Sequence, residues 1–375
     1  MTAHLPLFAS AAAEPQPAAA GATRIAFSLD RRLGLSIGEL GSLAARALEL
    51  GYAGLWTTGG TYDPFQLCAA WGRLPSPGAS AANVGIAVIP VTAWPSAVQL
   101  ATAAATTAEL TGGRFILGLG VGHPAADDRS RAAEARPVPL ARDYVAALRP
   151  LLAGETVHHE GPNLRVLDES IGWRPPRVPL YLAALGPAML ALAGQAGDGA
   201  LLNWCTAEHA RWSRAEIARA ATAAGRRPED VQVATQIRVA LGPDEAACRA
   251  AVARQLVTMT LRKPREAADR GYQGHARRLG LGDLIDRLGA EQDRGLSTEA
   301  LADQVPEDVV RGLAYVGPPD GAAEGVGALA GGCDLAIVRC VAPRPSLATV
   351  LQTLEACAPS PATRAPVPSA VPAGA

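Results

Sequence analysis

The chain of 375 residues is poor in aromatic side chains, at 4%, and its only lysine is Lys263. Arginine therefore supplies nearly all the positive charge, a bias that GC-rich coding explains given the abundance of Ala, Gly and Pro. Net charge is only −1, which leaves no electrostatic footprint for nucleic acid or an anionic membrane surface. No apolar run reaches the roughly 18–20 residues that a membrane span needs. The first residues lack a basic segment leading into a continuous apolar stretch, so a secretory signal is not expected. The six cysteines show neither C-x-x-C nor Cys/His zinc spacing. Scattered in this way in a chain of this length, they read as reduced thiols of a cytoplasmic protein.

With 49% hydrophobic residues, the chain has enough apolar material for a large core. Residues 1–22 and 358–375 are Ala/Pro-rich with few large apolar side chains and are expected to be disordered tails around a domain spanning 23–357. Within that domain strands alternate with helices. Strands are predicted at 24–28, 53–57, 84–89, 114–119, 180–184, 200–204, 231–241 and 334–339. Ser36 followed by Glu39 is a capping box for a helix whose apolar positions Ile37, Leu40, Leu43, Ala47 and Leu50 recur at helical spacing, with Gly51 as its stop. Asp63-Pro64 starts the next helix. Further helices are predicted over about 95–110, 139–152, 188–196, 207–224 and 320–330. An irregular insertion, hairpin or loop, falls at 154–178, and a mostly helical Arg-rich region at 243–312. Eight strands in unbroken alternation with helices predict a parallel (β/α)₈ TIM barrel with helical and loop insertions. The strand count fits closure better than an open doubly wound sheet.

The most informative stretch is Gly112 to Gly122, where Gly118, Gly120 and Gly122 recur at every second position directly after an apolar strand pattern. At a strand period of two they share one face, so a flat ligand or another backbone must lie against it. The spacing is neither a dinucleotide fingerprint nor a phosphate-binding loop ending in Gly-Lys-Ser/Thr. In a barrel, ligands bind at the C-terminal ends of the strands. That rule selects 28–30, 57–60, 88–92, 120–123, 184–188, 203–206 and 339–340. At Leu185-Gly186-Pro187-Ala188-Met189 a strand turns into a helix, leaving the Ala188 amide free to meet an anion. Trp204-Cys205-Thr206 ends the neighbouring strand and adds a hydroxyl and further amides. His123 is the titratable candidate at the rim, either as proton donor or as a loop histidine bonded to backbone. No metal triad is apparent, because His158 and His159 sit together in the insertion. The small charge among these rim positions favours a neutral or apolar substrate.

These segments resemble the bacterial luciferase-like monooxygenase superfamily over about residues 24–345. Residues 111–122 are similar to its fourth-strand signature. Residues 178–200, with Leu-Gly-Pro-Ala-Met, are similar to the fifth-strand turn of its F420-dependent branch. Residues 85–90 align with a strand-three bulge that holds a non-prolyl cis peptide behind the deazaflavin ring. The resemblance implies a (β/α)₈ barrel binding F420, with FMN as the alternative, and Ala87 and Val88 as the bulge. It implies Gly186, Ala188, Cys205 and Thr206 around the cofactor phosphate, and Gly120 with His123 beside the ring. It further implies hydride transfer to or from a small organic substrate, and a homodimer. The alternatives are an FMN-dependent monooxygenase served by a separate flavin reductase, and a catalytically silent binding barrel. The chain departs from the family where Trp56 is followed by Thr57-Thr58-Gly59-Gly60 instead of an acid and a histidine, and where Val121 replaces an acid.

Overall fold

The computed structural model describes residues 23–59, 62–76, 82–94, 96–122, 136–262 and 270–360. The first half alternates strand and helix as β1 (Arg24–Ser28), α1 (Ile37–Glu49), β2 (Gly54–Thr57), α2 (Pro64–Trp71), β3 (Asn83–Pro90), α3 (Ala97–Leu110), β4 (Phe115–Gly120) and α4 (Pro137–Leu152). A hairpin of β5 (Val157–Glu160) and β6 (Arg165–Glu169) follows. The alternation resumes with β7 (Leu180–Ala183), α5 (Pro187–Ala196), β8 (Gly199–Asn203), α6 (Ala207–Ala223) and β9 (Gln232–Leu241). Five helices come next: α7 (Glu245–Thr260), α8 (Gly271–Arg278), α9 (Gly282–Asp293), α10 (Thr298–Ala302) and α11 (Glu307–Leu313). The chain then forms β10 (Ala314–Gly317), α12 (Ala322–Leu329), β11 (Leu335–Cys340) and α13 (Leu347–Ala356).

Parallel pairing runs β1–β2–β3–β4–β7–β8–β9–β11 and returns from β11 to β1, closing a ring of eight strands. The predicted (β/α)₈ barrel is the observed fold, and each predicted strand lies within a residue or two of its position. Local signals carry much of this agreement. Ser36 and Glu39 form the reciprocal capping box, and Asp63 caps α2 through the amides of Phe65 and Gln66. Two elements escape the sequence reading. The four-residue β10 lies just beyond the stretch read as helical, and α13 follows the last predicted strand, started by a box between Ser346 and Thr349. Among the described residues no helix is long and apolar enough to cross a membrane.

Strand parity sorts the core into two. Leu55, Ile86, Phe115, Leu117, Leu182 and Val338 point outward to the helices. Ala26, Trp56, Ile116, Tyr181, Leu201, Ala234, Leu335 and Ile337 fill the inside of the barrel as a separate apolar cluster. One step further along the same inward rows stand Ser28, Asn203, Gln236 and Arg339, followed on β9 by Arg238. The barrel interior is therefore apolar at its centre and polar toward the strand C-termini, where a parallel barrel places its chemistry.

Candidate active site at the barrel mouth

The polar layer is a hydrogen-bonded network contributed by β1, β8, β9 and β11. Arg339 pairs with Asp30 and donates to Gln236 Oε1 at 2.7 Å. The Arg32 amide donates to Asp30 Oδ1 at 2.9 Å. Burial pushes the Asp30 carboxyl upward, but Arg339, Arg32 and the amide bond outweigh it and hold its pKa below the ordinary value. Arg238 NH2 donates to Asn203 Oδ1 at 2.8 Å, and Asn203 Nδ2 donates to the Tyr272 hydroxyl at 2.7 Å. The Arg238 guanidinium lies 3.4 Å from the centre of the Trp204 ring, and its Nε and NH1 have no hydrogen-bond partner. Trp204 can lie beneath it because its backbone turns at φ 54 where β8 ends. Burial raises the pKa of Tyr272, so it stands at the mouth as a neutral phenol.

The opposite half of the mouth, on β3 and β4, is bare. A Cβ on Gly118 would collide with the Ile86 carbonyl oxygen. One on Gly120 would lie 2.5 Å from Val88 Cγ2, and one on Gly122 2.5 Å from Pro90 Cβ. The strip is therefore covered by the bulged third strand, with backbone at Gly118 and the side chains of Val88 and Pro90 at Gly120 and Gly122. The register between β3 and β4 slips between Ile86 and Ile89, and the Ala87–Val88 peptide bond is cis. Ala87 and partly buried Val88 belong to the interior cluster, so the bulge turns small apolar side chains toward the barrel axis.

Between these halves, β7 and β8 each end at a helix N-terminus. Gly186 is the N-cap of α5 with no side-chain cap, and Pro187 and Ala188 are exposed. Thr206 caps α6, its hydroxyl accepting from the His209 amide at 3.2 Å. β7 and β8 are paired in parallel, and the His275 ring meets the carbonyls of both Leu185 and Trp204 just past their ends, at 3.3 and 2.8 Å, so the two helix starts are neighbours. Arg278, at the end of α8, donates to the Leu185 carbonyl at 3.3 Å, and a Cβ on Gly186 would come within 3.2 Å of its NH2. Two helix N-termini and a guanidinium make a cradle suited to a phosphate.

Beneath the cradle, ligand-type atoms of Cys205, His209 and His275 lie within 4.8 Å of one another, all three residues buried. His275 Nε2 is 2.8 Å from the Trp204 carbonyl, a contact that requires a proton on that nitrogen. The cluster thus reads as hydrogen-bonded packing that fixes α8 against β8. Burial pushes the Cys205 thiol up to about 12, leaving it protonated and unreactive.

Of the residues singled out from sequence, Ala87, Val88 and Gly120 meet at the bulge, and Gly186, Ala188 and Thr206 stand at the two helix starts of the cradle, with the Cys205 thiol buried beneath them. His123 lies outside the described residues. The strand-end positions include the buried Asp30–Arg339 pair, and Arg238, one layer in from the end of β9, adds a second buried guanidinium to the rim. Arg238, Tyr272, His275 and Arg278 were missed. Arg238 belongs to a predicted strand but lies short of its end, and the other three come from a helix far along the chain.

A closed eight-stranded barrel with its polar layer at the strand C-termini, and two helix starts with an arginine beside it, has the layout of a TIM-barrel enzyme that holds a cofactor. The chain belongs to the luciferase-like monooxygenase family, whose model matches residues 8–333. It is 35% identical over 143 residues to a 5,10-methylenetetrahydromethanopterin reductase of Methanolobus tindarius, covering 38% of this chain and 44% of that one. It is 32% identical over 193 residues to an F420-dependent glucose-6-phosphate dehydrogenase of Beutenbergia cavernae, covering 46% and 55%. The chain thus spans about half the length of these curated relatives. Its fold is similar to the coenzyme F420 dependent tetrahydromethanopterin reductase of Methanopyrus kandleri, with TM-score 0.70 and 18% identity over 89% of this chain and 98% of that one.

Proposed function

We propose that this protein is an F420-dependent oxidoreductase that moves a hydride between the deazaflavin and a small organic substrate. The observation that carries the reading is the run of four neighbouring strand ends: a side-chain-poor bulge on β3 and β4, then two helix starts after β7 and β8 that form an anion cradle. The names of the sequence relatives support the choice of F420. When bound, the deazaflavin supplies the hydride chemistry, and the protein supplies placement. The Gly186 turn, the Ala188 amide, Thr206 and Arg278 would hold the cofactor phosphate. Ala87 and Val88 would back its ring. Across the mouth, Arg238, Asn203 and Tyr272 orient the substrate, with the Tyr272 hydroxyl holding a proton beside it. The packed interior layer of Trp56 and Tyr181, with ring centres 6.1 Å apart, closes the barrel floor to water.

The test is equilibrium titration of the purified chain with F420 and with FMN. F420 is expected to bind at least about tenfold tighter, a difference of about 1.4 kcal/mol, and reduced F420 to be consumed anaerobically when an acceptor is found. Tighter binding of FMN, with turnover that depends on oxygen and a separate reductase, would replace this reading by the monooxygenase one.

A further inference from the structure

We infer that Arg238 is an anion-recognition residue, and that the substrate taken at this mouth is a small organic carboxylate. The inference rests on the mouth being the substrate site, and it names the substrate class that the proposed oxidoreductase would take. Arg238 is 1% exposed, yet two of its three guanidinium nitrogens, Nε and NH1, have no partner. Stacking on Trp204 covers a face of the guanidinium plane and leaves its in-plane N–H groups unsatisfied. An unpartnered buried donor costs the full desolvation of that group, and more when it is charged.

The local charge count points the same way. Arg238 and Arg339 are both buried, and among the described residues the one buried carboxylate of the layer, Asp30, is already bound by Arg339. Asn203 offers Arg238 a neutral carbonyl and nothing more. Burial, and Arg339 beside it, press the Arg238 pKa well below its ordinary value, as expected for a cation short of a counter-anion. The geometry favours a planar anion. A carboxylate presents two acceptor oxygens in one plane, matching a stacked guanidinium whose donors lie in that plane. The Tyr272 hydroxyl, bound to Asn203 Nδ2, lies on the same network. Phosphate-bearing groups have a different place to go, the Gly186 turn after β7 with Arg278 beside it. This departs from the neutral substrate that the strand-end positions alone favoured.

Benzoate and benzamide, one ring with and without the charge, provide the test by isothermal titration calorimetry on the full chain. Benzoate is expected to bind at least about tenfold tighter than benzamide. In Arg238→Met that preference should vanish, and in Arg238→Lys it should fall without vanishing. The methionine variant is expected to fold, shown by an unchanged circular dichroism spectrum. Arg238→Lys decides the matter if the methionine variant does not fold. Arg278→Gln should keep the preference, which assigns the anion to the mouth and not to the cradle. Absence of benzoate binding, equal affinity for the two probes, or a preference that survives in Arg238→Met would each overturn the proposal. F420 affinity measured on the same samples separates the two readings. Failure of the wild type to bind F420 removes the cofactor assignment and leaves an Arg238-dependent benzoate preference standing. Loss of F420 binding in Arg238→Met, without a benzoate preference in the wild type, would assign Arg238 to the cofactor and overturn the substrate proposal.

Discussion

Arg238 and Arg339 stand on neighbouring strands of one barrel layer and call for opposite expectations on mutation. Arg339 is paired with the buried Asp30 carboxylate, and Arg238 has no carboxylate. Removing one member of a buried ion pair leaves a charge that nothing compensates, at a cost of about 3–5 kcal/mol. Replacing a buried charge that has no ionic partner by an apolar side chain of similar volume removes its desolvation cost, which offsets the one hydrogen bond to Asn203 that is lost. Asp30→Asn is therefore expected to lower unfolding stability by several kcal/mol, whereas Arg238→Met should hold or raise it. Urea unfolding of the two variants beside the wild type checks this, and an equal loss in both would contradict the pairing described here. The residue scale also shows why the site was only half legible. Asp30 and Arg339 sit where their strands end, so the strand-end rule finds them. Arg238 does not, because β9 runs three residues further to Leu241 and pairs there with β10. The rim crosses β9 at its middle, and nothing in the amino-acid order marks that crossing.

At the scale of elements, β4 shows how a glycine pattern acquires its meaning from its neighbour. From sequence the strip could face either a ligand or a backbone, and the bulge of β3 occupies it. The fold was legible because each of the eight barrel strands and most of the helices between them carries its own signal: apolar period, cap or proline start. The relation between β3 and β4 is long-range and carries no such mark. The same argument separates two glycine-to-alanine changes. Gly118→Ala would drive a methyl group into the Ile86 carbonyl and force β3 and β4 apart. Overpacking of this kind costs about 1–3 kcal/mol or more. Gly41 lies inside α1, where an added Cβ would meet nothing within 4 Å, so Gly41→Ala should gain up to about 1 kcal/mol of helix propensity. Thermal unfolding should shift down for the first variant and up for the second. A neutral Gly118→Ala would mean that the strands are not packed as closely as described.

The dependence of stability on pH belongs to the whole molecule, because it sums groups that are widely separated in the chain. His209 is 8% exposed and its Nε2 lacks a partner. Burial, with His275 and Arg278 nearby, pushes its pKa down from 6.5 to about 4. Between those two values the unfolded chain binds a proton at this position that the folded chain refuses. Protons then favour unfolding, and stability must fall as pH drops from about 6.5 toward 4. His275, lowered mainly by burial, adds to the loss in the same direction. Asp30 acts lower on the scale. Its folded pKa lies below 3.8, so its contribution is complete above that value and is lost only as pH falls through the folded value. The urea midpoint of the wild type is therefore expected to decline in two stages, the first through histidine and the second through the carboxylate. His209→Gln keeps a polar side chain and removes the titration, so it should flatten the upper stage and leave the lower one in place. An upper stage unchanged in that variant would show that His209 is protonated as readily in the folded protein as in the unfolded chain, and that α6 and α8 do not shield it from water.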